Sequence, residues 1–161
     1  MNTIHIREIE EKDNVEVARL IRKVLLEMGV PKIGSAYEDK SLDSMYENYK
    51  VPNAIYFVVE DNGILLGCAG IAKLENYDGN VCELQKIYFL EEVRGKGIGT
   101  KMIDACLEKA KEFGFEKCYL ETMPYMKVAQ KLYIKKGFTY LENKMGDTGH
   151  YSCPVWMIKE L

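Results

Sequence analysis

Glu83-Leu84-Gln85-Lys86-Ile87-Tyr88-Phe89-Leu90 leads through Glu91-Glu92-Val93 into Arg94-Gly95-Lys96-Gly97-Ile98-Gly99-Thr100, and the sequence changes character at the glycines. The first eight residues alternate and are aromatic enough to predict a strand. Beyond them, Ile98, Met102, Ile103, Cys106, Leu107, Ala110 and Phe113 fall on one face of a helix, which Gly114 closes. The glycines therefore lie between a strand and the first turn of a helix. Backbone N–H groups there lack helical partners, and the helix dipole adds partial positive charge. Arg94, Lys96 and Lys101 contribute full charges. This chemistry suits a pyrophosphate.

Spacing narrows the choice among phosphate loops. A Walker loop requires Gly, four residues, then Gly-Lys-Ser/Thr; counted from Gly95, the second glycine is replaced by Thr100. A dinucleotide fingerprint, Gly-x-Gly-x-x-Gly, ends on Thr100 from Gly95 and on Met102 from Gly97. Both patterns fail, which disfavours nucleotide-dependent transfer and hydride chemistry. Arg/Gln-x-x-Gly-x-Gly/Ala is matched by Arg94, Gly97 and Gly99, although a short glycine loop also serves as a plain turn.

Composition sets the wider frame. The 161 residues suit a single domain spanning 1–161, which would bury about two-thirds of its unfolded surface. An apolar fraction of 47% and a charged fraction of 29% are those of a soluble globular protein. No apolar run approaches the roughly 20 residues of a membrane span, and the N-terminus lacks the layout of a signal peptide. Cys68, Cys82, Cys106, Cys118 and Cys153 are scattered and odd in number, so they read as reduced core residues and not as a disulfide frame or metal site. The cytoplasm is the expected compartment. A net charge of −3 argues against a nucleic-acid binder.

In chain order, residues 3–9 predict a first strand, and Asp13 with Glu16 predicts a capping box. Val17, Leu20, Ile21, Val24, Leu25 and Met28 then form a helical stripe ending at Gly29. Residues 30–40 form a loop, and Ser41 caps a second helix with stripe Leu42, Met45, Tyr46 and Tyr49. Strands follow at 54–60, 64–74 and 81–90, the first two joined by the hairpin turn Asp61-Asn62-Gly63. After the central helix, 117–121 is a short strand parallel to the fourth. Pro124 opens a helix over 124–136, with Ala129, Leu132 and Tyr133 inward. Strands near 138–142 and 155–158 flank a loop at 143–154.

The order β-α-α-β-β-β-α-β-α-β-β, the Arg94/Gly97/Gly99 loop and the pattern Leu132-Tyr133-x-x-x-Gly137-Phe138 together resemble the GNAT superfamily of N-acetyltransferases over nearly the whole chain. The resemblance implies an α/β (α+β) fold, with a central mixed, mostly antiparallel sheet flanked by helices. It implies acetyl-CoA as cosubstrate, no metal, and direct transfer to an amine of a small molecule or peptide, and it leaves room for a homodimer. The coenzyme would be held by Arg94, Gly95, Lys96, Gly97, Ile98, Gly99 and Thr100, with the pantetheine arm along the fourth strand beside a splay at Ile87, Tyr88 and Phe89. Tyr133 matches the family's proton donor to the leaving thiolate, though an inward helical tyrosine is also a core residue. Glu83 is the first candidate for the base and Glu121 the second; Glu83 could equally only orient substrate. His5 on the first strand and His150 in the late loop fit that role poorly. Met126 stands where many members carry a cofactor-binding asparagine, so that contact does not carry over. The acceptor's walls are expected from 29–40 and 143–153, with Tyr37, Glu38, Asp39 and Tyr151. The alternative is a non-catalytic acyl-CoA-binding regulatory module.

Overall fold

The computed structural model describes residues 3–29, 32–33, 36–149 and 153–161. Its strands are β1 (Ile4–Glu8), β2 (Ile55–Asp61), β3 (Ile64–Lys73), β4 (Val81–Phe89), β5 (Lys117–Thr122), β6 (Thr139–Leu141) and β7 (Val155–Glu160). They form one sheet in the order β1-β2-β3-β4-β5-β7-β6. Only β4 and β5 pair in parallel, as a strand returning after a crossover helix does. The helices are α1 (Asn14–Glu27), the single turn α2 (Met45–Asn48), α3 (Ile98–Glu112) and α4 (Lys127–Lys135). No helix among the described residues is long and apolar enough to cross a membrane.

The sheet separates two apolar clusters. On one face Val17, Leu20, Ile21, Val24 and Leu25 of α1 pack with Leu42, Met45, Tyr56, Val58 and Cys68. On the other, Met102, Ile103, Cys106 and Ala110 of α3 pack with Val59, Ile71, Leu84, Tyr133 and Phe138. The hairpin joining β2 to β3 carries Asn62 at φ 52° and Gly63 at φ 83°, the left-handed pair its sequence predicts.

Three local expectations shift. Asp13 does not cap α1 through its side chain. Its carboxylate instead accepts the Glu10 N–H at 2.7 Å and two hydrogen bonds from Arg7, at 2.8 and 3.0 Å, so the capping box closes the preceding 3₁₀ turn. Ser41 lies inside a 3₁₀ segment, Lys40–Ser44, and its carbonyl accepts the Asn48 side-chain amide at 2.7 Å. Pro124 does not open α4. Gln130 donates its side-chain amide to the Met123 carbonyl at 2.8 Å, which holds 123–126 as a turn, and the helix starts at Lys127.

The feature that positions the site lies in β4. Cys68 pairs with Tyr88 and Gly70 with Gln85, so Lys86 and Ile87 share the space opposite one residue of β3. This is a β-bulge, with Lys86 at φ 51° and its carbonyl accepting the Tyr56 hydroxyl at 2.7 Å. Among the described residues, the other non-glycine residues at positive φ are all asparagines (Asn53, Asn62 and Asn76), which tolerate it. A lysine there costs about 1–2 kcal/mol. The bulge inverts the alternation. Leu84 faces the α3 side, and beyond the bulge Ile87 and Phe89 join it while Tyr88 turns to the α1 side.

Candidate active site

β4 and β5 pair over Val81↔Lys117, Cys82↔Cys118 and Glu83↔Tyr119, and no further. Both strands continue, β4 to Phe89 and β5 to Thr122, each still paired on its outer side. The sheet therefore opens like a wedge in its middle, leaving two inner strand edges able to pair with an extended amide chain. A cleft fills the wedge. Its lining includes Glu83, Gln85, Lys86, Ile87 and Tyr88 of β4, Leu120, Glu121 and Thr122 of β5, and Met123, Met126, Tyr133 and Cys153.

Tyr133 is only 8% exposed, yet its hydroxyl has no hydrogen-bond partner among the described residues. Among the described residues no fully buried side-chain oxygen or nitrogen lacks a partner, so that hydroxyl reaches the open cleft. Burial raises its pKa and keeps it a phenol. Burial also pushes the Cys153 thiol up to about 12, with help from Glu121, Glu83 and Asp39. Met126 lies at the start of α4, where its sulfur accepts the Thr122 hydroxyl at 3.4 Å.

Glu83 is 5% exposed and lines this cleft and a second cavity beside it. Its Oε1 accepts the Gln85 side-chain N–H at 2.7 Å, while the Gln85 carbonyl oxygen accepts the Tyr49 hydroxyl. The amide is thereby fixed with its donor toward the carboxylate. The second cavity is bounded by Asp39, Lys40, Ser41, Glu75, Glu83, Gln85, Lys86 and Thr148. Glu121 is differently committed. Its two oxygens accept the Tyr119 hydroxyl, at 2.7 Å, and the Thr148 hydroxyl. The Tyr119 hydroxyl accepts the Met145 N–H at 3.3 Å, so the group ties the 145–148 loop to β5.

One 3₁₀ turn, Glu91–Val93, separates β4 from the glycine loop. Gly95 and Gly97 both stand at φ 79°, and Gly97 is the residue at which α3 begins. The helix end has no side-chain cap and no acidic residue in its first turn. Lys96 and Lys101 have no ion-pair partner among the described residues. Arg94 does: its Nε donates to the Phe89 carbonyl at 3.0 Å, and Nη2 lies 3.8 Å from Glu27. An uncapped N-terminus ringed by free ammonium groups is an anion-binding end.

A model of the acetyltransferase (GNAT) family matches residues 19–138. The chain belongs to that family. It is 41% identical over 157 residues to the uncharacterized N-acetyltransferase YjgM of Escherichia coli (strain K12), covering 97% of this chain and 94% of that protein. Among solved structures, the GNAT acetyltransferase of Staphylococcus aureus Mu50 superposes with a TM-score of 0.87 at 21% identity, over 98% of this chain and 99% of that one. YncA, a putative acetyltransferase of Salmonella typhimurium solved with its cofactor acetyl-CoA, gives 0.81 at 19% identity, over 99% and 95%. The seven-stranded mixed sheet flanked by helices is thus the GNAT fold.

Of the residues singled out from sequence, the GNAT wedge brings together Tyr133, Glu83, Ile87, Tyr88, Glu121 and Met126. Phe89 lies outside its lining, with its ring against Gly67 and near Gly99. Residues 94–100 lie beyond the lining too, at the start of α3. His5 sits on the edge strand β1, 3.0 Å from Glu60 and remote from the wedge. Asp39, Lys40 and Thr148, from the loops expected to wall the acceptor, line the second cavity, whereas Tyr37 and Glu38 do not. His150 and Tyr151 lie outside the described residues. Gln85, Lys86 and Cys153 escaped sequence reading. Cys153 was grouped with the core thiols, and a bulge leaves no mark on hydrophobic periodicity.

Proposed function

We propose that this protein transfers an acetyl group from acetyl-CoA to a primary amine, of a small molecule or a peptide, by direct attack on the thioester. The observation that carries this reading is that two cavities meet at Glu83, one of them holding the open hydroxyl of Tyr133. The residues present suit the coenzyme. Gly95 to Thr100, with Lys96 and Lys101, would hold its diphosphate, and the unpaired edges of β4 and β5 would hold its amide arm.

Bound acetyl-CoA supplies an activated acyl group. An acceptor amine with a pKa near 10 must lose a proton before it can attack. Glu83, oriented by Gln85, is placed to take that proton directly or through water. A backbone N–H in the stretch Ile87 to Phe89 is the candidate partner for the carbonyl oxygen, a role worth about 3 kcal/mol. Tyr133 holds the proton for the departing sulfur. Its raised pKa would weaken it as an acid toward a thiolate in water. The Cys153 thiol shows, however, that the same cleft raises a sulfur's proton affinity as well. The two shifts run in the same direction, so the transfer stays within reach.

The test is release of free coenzyme A, followed with a thiol reagent, across amines, amino acids, polyamines and peptides. The proposal expects release that requires one amine class and yields the N-acetyl product. Saturable coenzyme binding with no release on any amine would replace it with the non-catalytic binding module.

A further inference from the structure

We infer that the acceptor is amino-acid-like: a small molecule carrying a carboxylate beside the amine to be acetylated, with the Lys86 ammonium holding the carboxylate. This rests on the transferase reading above and adds the class of acceptor. Lys86 lines both cavities at the place where they meet. It is half-buried, and its ammonium has no hydrogen-bond or ion-pair partner among the described residues. Lys40, the other cation of the acceptor cavity, is exposed and solvated. None of the described residues gives the Lys86 ammonium a direct partner, and a ligand carboxylate would supply one.

The backbone points the same way. The bulge needs a left-handed residue at 86, and among the described residues asparagine stands at each of the other non-glycine left-handed positions. Lysine is a poor choice for that conformation, and its long charged side chain is what distinguishes it from the cheaper ones. The rest of the cavity fits the other end of such a molecule. Asp39, Glu75 and Glu83 also line it, residues whose carboxylates suit an ammonium group, and Glu83 is also the candidate base. An acceptor with a cationic end and an anionic end satisfies both signs of charge. A plain amine or polyamine would leave Lys86 facing a like charge.

The experiment compares free L-amino acids with their carboxamides, which keep the side chain and amine and remove only the negative charge. The amide's amine is less basic, so chemistry alone favours it at neutral pH. A wild-type preference for the free acid by kcat/KM is therefore expected only if the carboxylate is recognised. Lys86→Asn suits the left-handed backbone and should fold. It should raise KM for the best amino acid about 10- to 100-fold with kcat little changed, and abolish the preference over the carboxamide. Lys86→Arg should restore much of the preference. Equal use of acid and amide by the wild type, or an equal loss on both in Lys86→Asn, would overturn the inference. So would a weakened affinity of Lys86→Asn for acetyl-CoA in calorimetry, which would give Lys86 to the coenzyme. Thermal shift by the same acids and amides in the presence of coenzyme A separates this inference from the transfer reaction. Lys86-dependent stabilisation by the acids alone, without turnover, would uphold the acceptor class and reject the chemistry; with neither turnover nor stabilisation, the inference fails as well.

Discussion

Tyr133 packs edge-on against Phe138, with ring centroids 6.0 Å apart, and still shows its hydroxyl to the cleft. Tyr133→Phe keeps the ring and removes only the oxygen, and no described residue loses a hydrogen bond by it. We expect kcat to fall about 10- to 1000-fold with acetyl-CoA affinity nearly unchanged. Full activity would return Tyr133 to the core and leave the thiolate to water. For Glu83 the sign of the pH effect decides. Glu83→Gln should slow transfer most near neutral pH, and the loss should shrink as pH approaches the amine's own pKa, where solvent already supplies free amine. Equal kcat at every pH, with only KM raised, would make Glu83 a substrate-positioning group. Tyr133 was legible because its spacing to Gly137-Phe138 survives in the primary sequence. Gln85, which orients Glu83, was not: in a strand it is one more alternating residue, and only the Tyr49 hydroxyl, 36 positions away, fixes its amide.

Elements were read correctly in type and order, and misread where side chains take over backbone duties. Asp13 marked the start of a helix as expected, yet its carboxylate serves Arg7 and the Glu10 N–H. Burial raises its pKa, but those hydrogen bonds outweigh it and hold the carboxyl below the usual value. With the folded pKa depressed, the stabilisation is complete above the unfolded value of about 3.9 and is lost as pH falls through the folded one. Asp13→Asn should therefore cost about 2 kcal/mol at pH 7, and the gap to wild type should close below about pH 4 in denaturant titrations. An equal gap at pH 7 and pH 3 would contradict the ion-pair account. The bulge makes a second demand, on the opposite strand. A Cβ on Gly70 would stand 2.3 Å from the Tyr56 ring and 2.5 Å from the Ile55 carbonyl oxygen, and Tyr56 is the residue that anchors Lys86. Gly70→Ala should destabilise the fold by about 2–3 kcal/mol, read from the denaturation midpoint; a change under 0.5 kcal/mol would show that β3 can shift at no cost. Strand alternation predicted β4 as a whole but could not place the inserted residue that reverses its faces.

At the scale of the molecule, one seven-stranded sheet is opened in its middle, and two cavities meet beside the gap. The order of elements, the parallel return of β5 and the glycine loop were all legible, because periodicity, turn chemistry and spacing carry them. The wedge was legible only through the family resemblance, which implies a splay beside the fourth strand; the bulge in β4 and the end of its pairing with β5 after Glu83 have no local signature. We propose this wedge and the start of α3 as an acetyl-CoA site. Gly97→Asp tests it most directly. The left-handed φ of 79° strains any side chain by about 1–2 kcal/mol, but a Cβ there meets nothing within 4 Å, so the variant should still fold while placing a carboxylate where the diphosphate is expected. The Gly99 position is less clean, since its Cβ would press on Leu132 at 3.3 Å. In titration calorimetry the wild type should bind acetyl-CoA saturably, one per chain, and folded Gly97→Asp should show no measurable binding. Equal affinity in the two proteins would mean that the start of α3 does not hold the diphosphate.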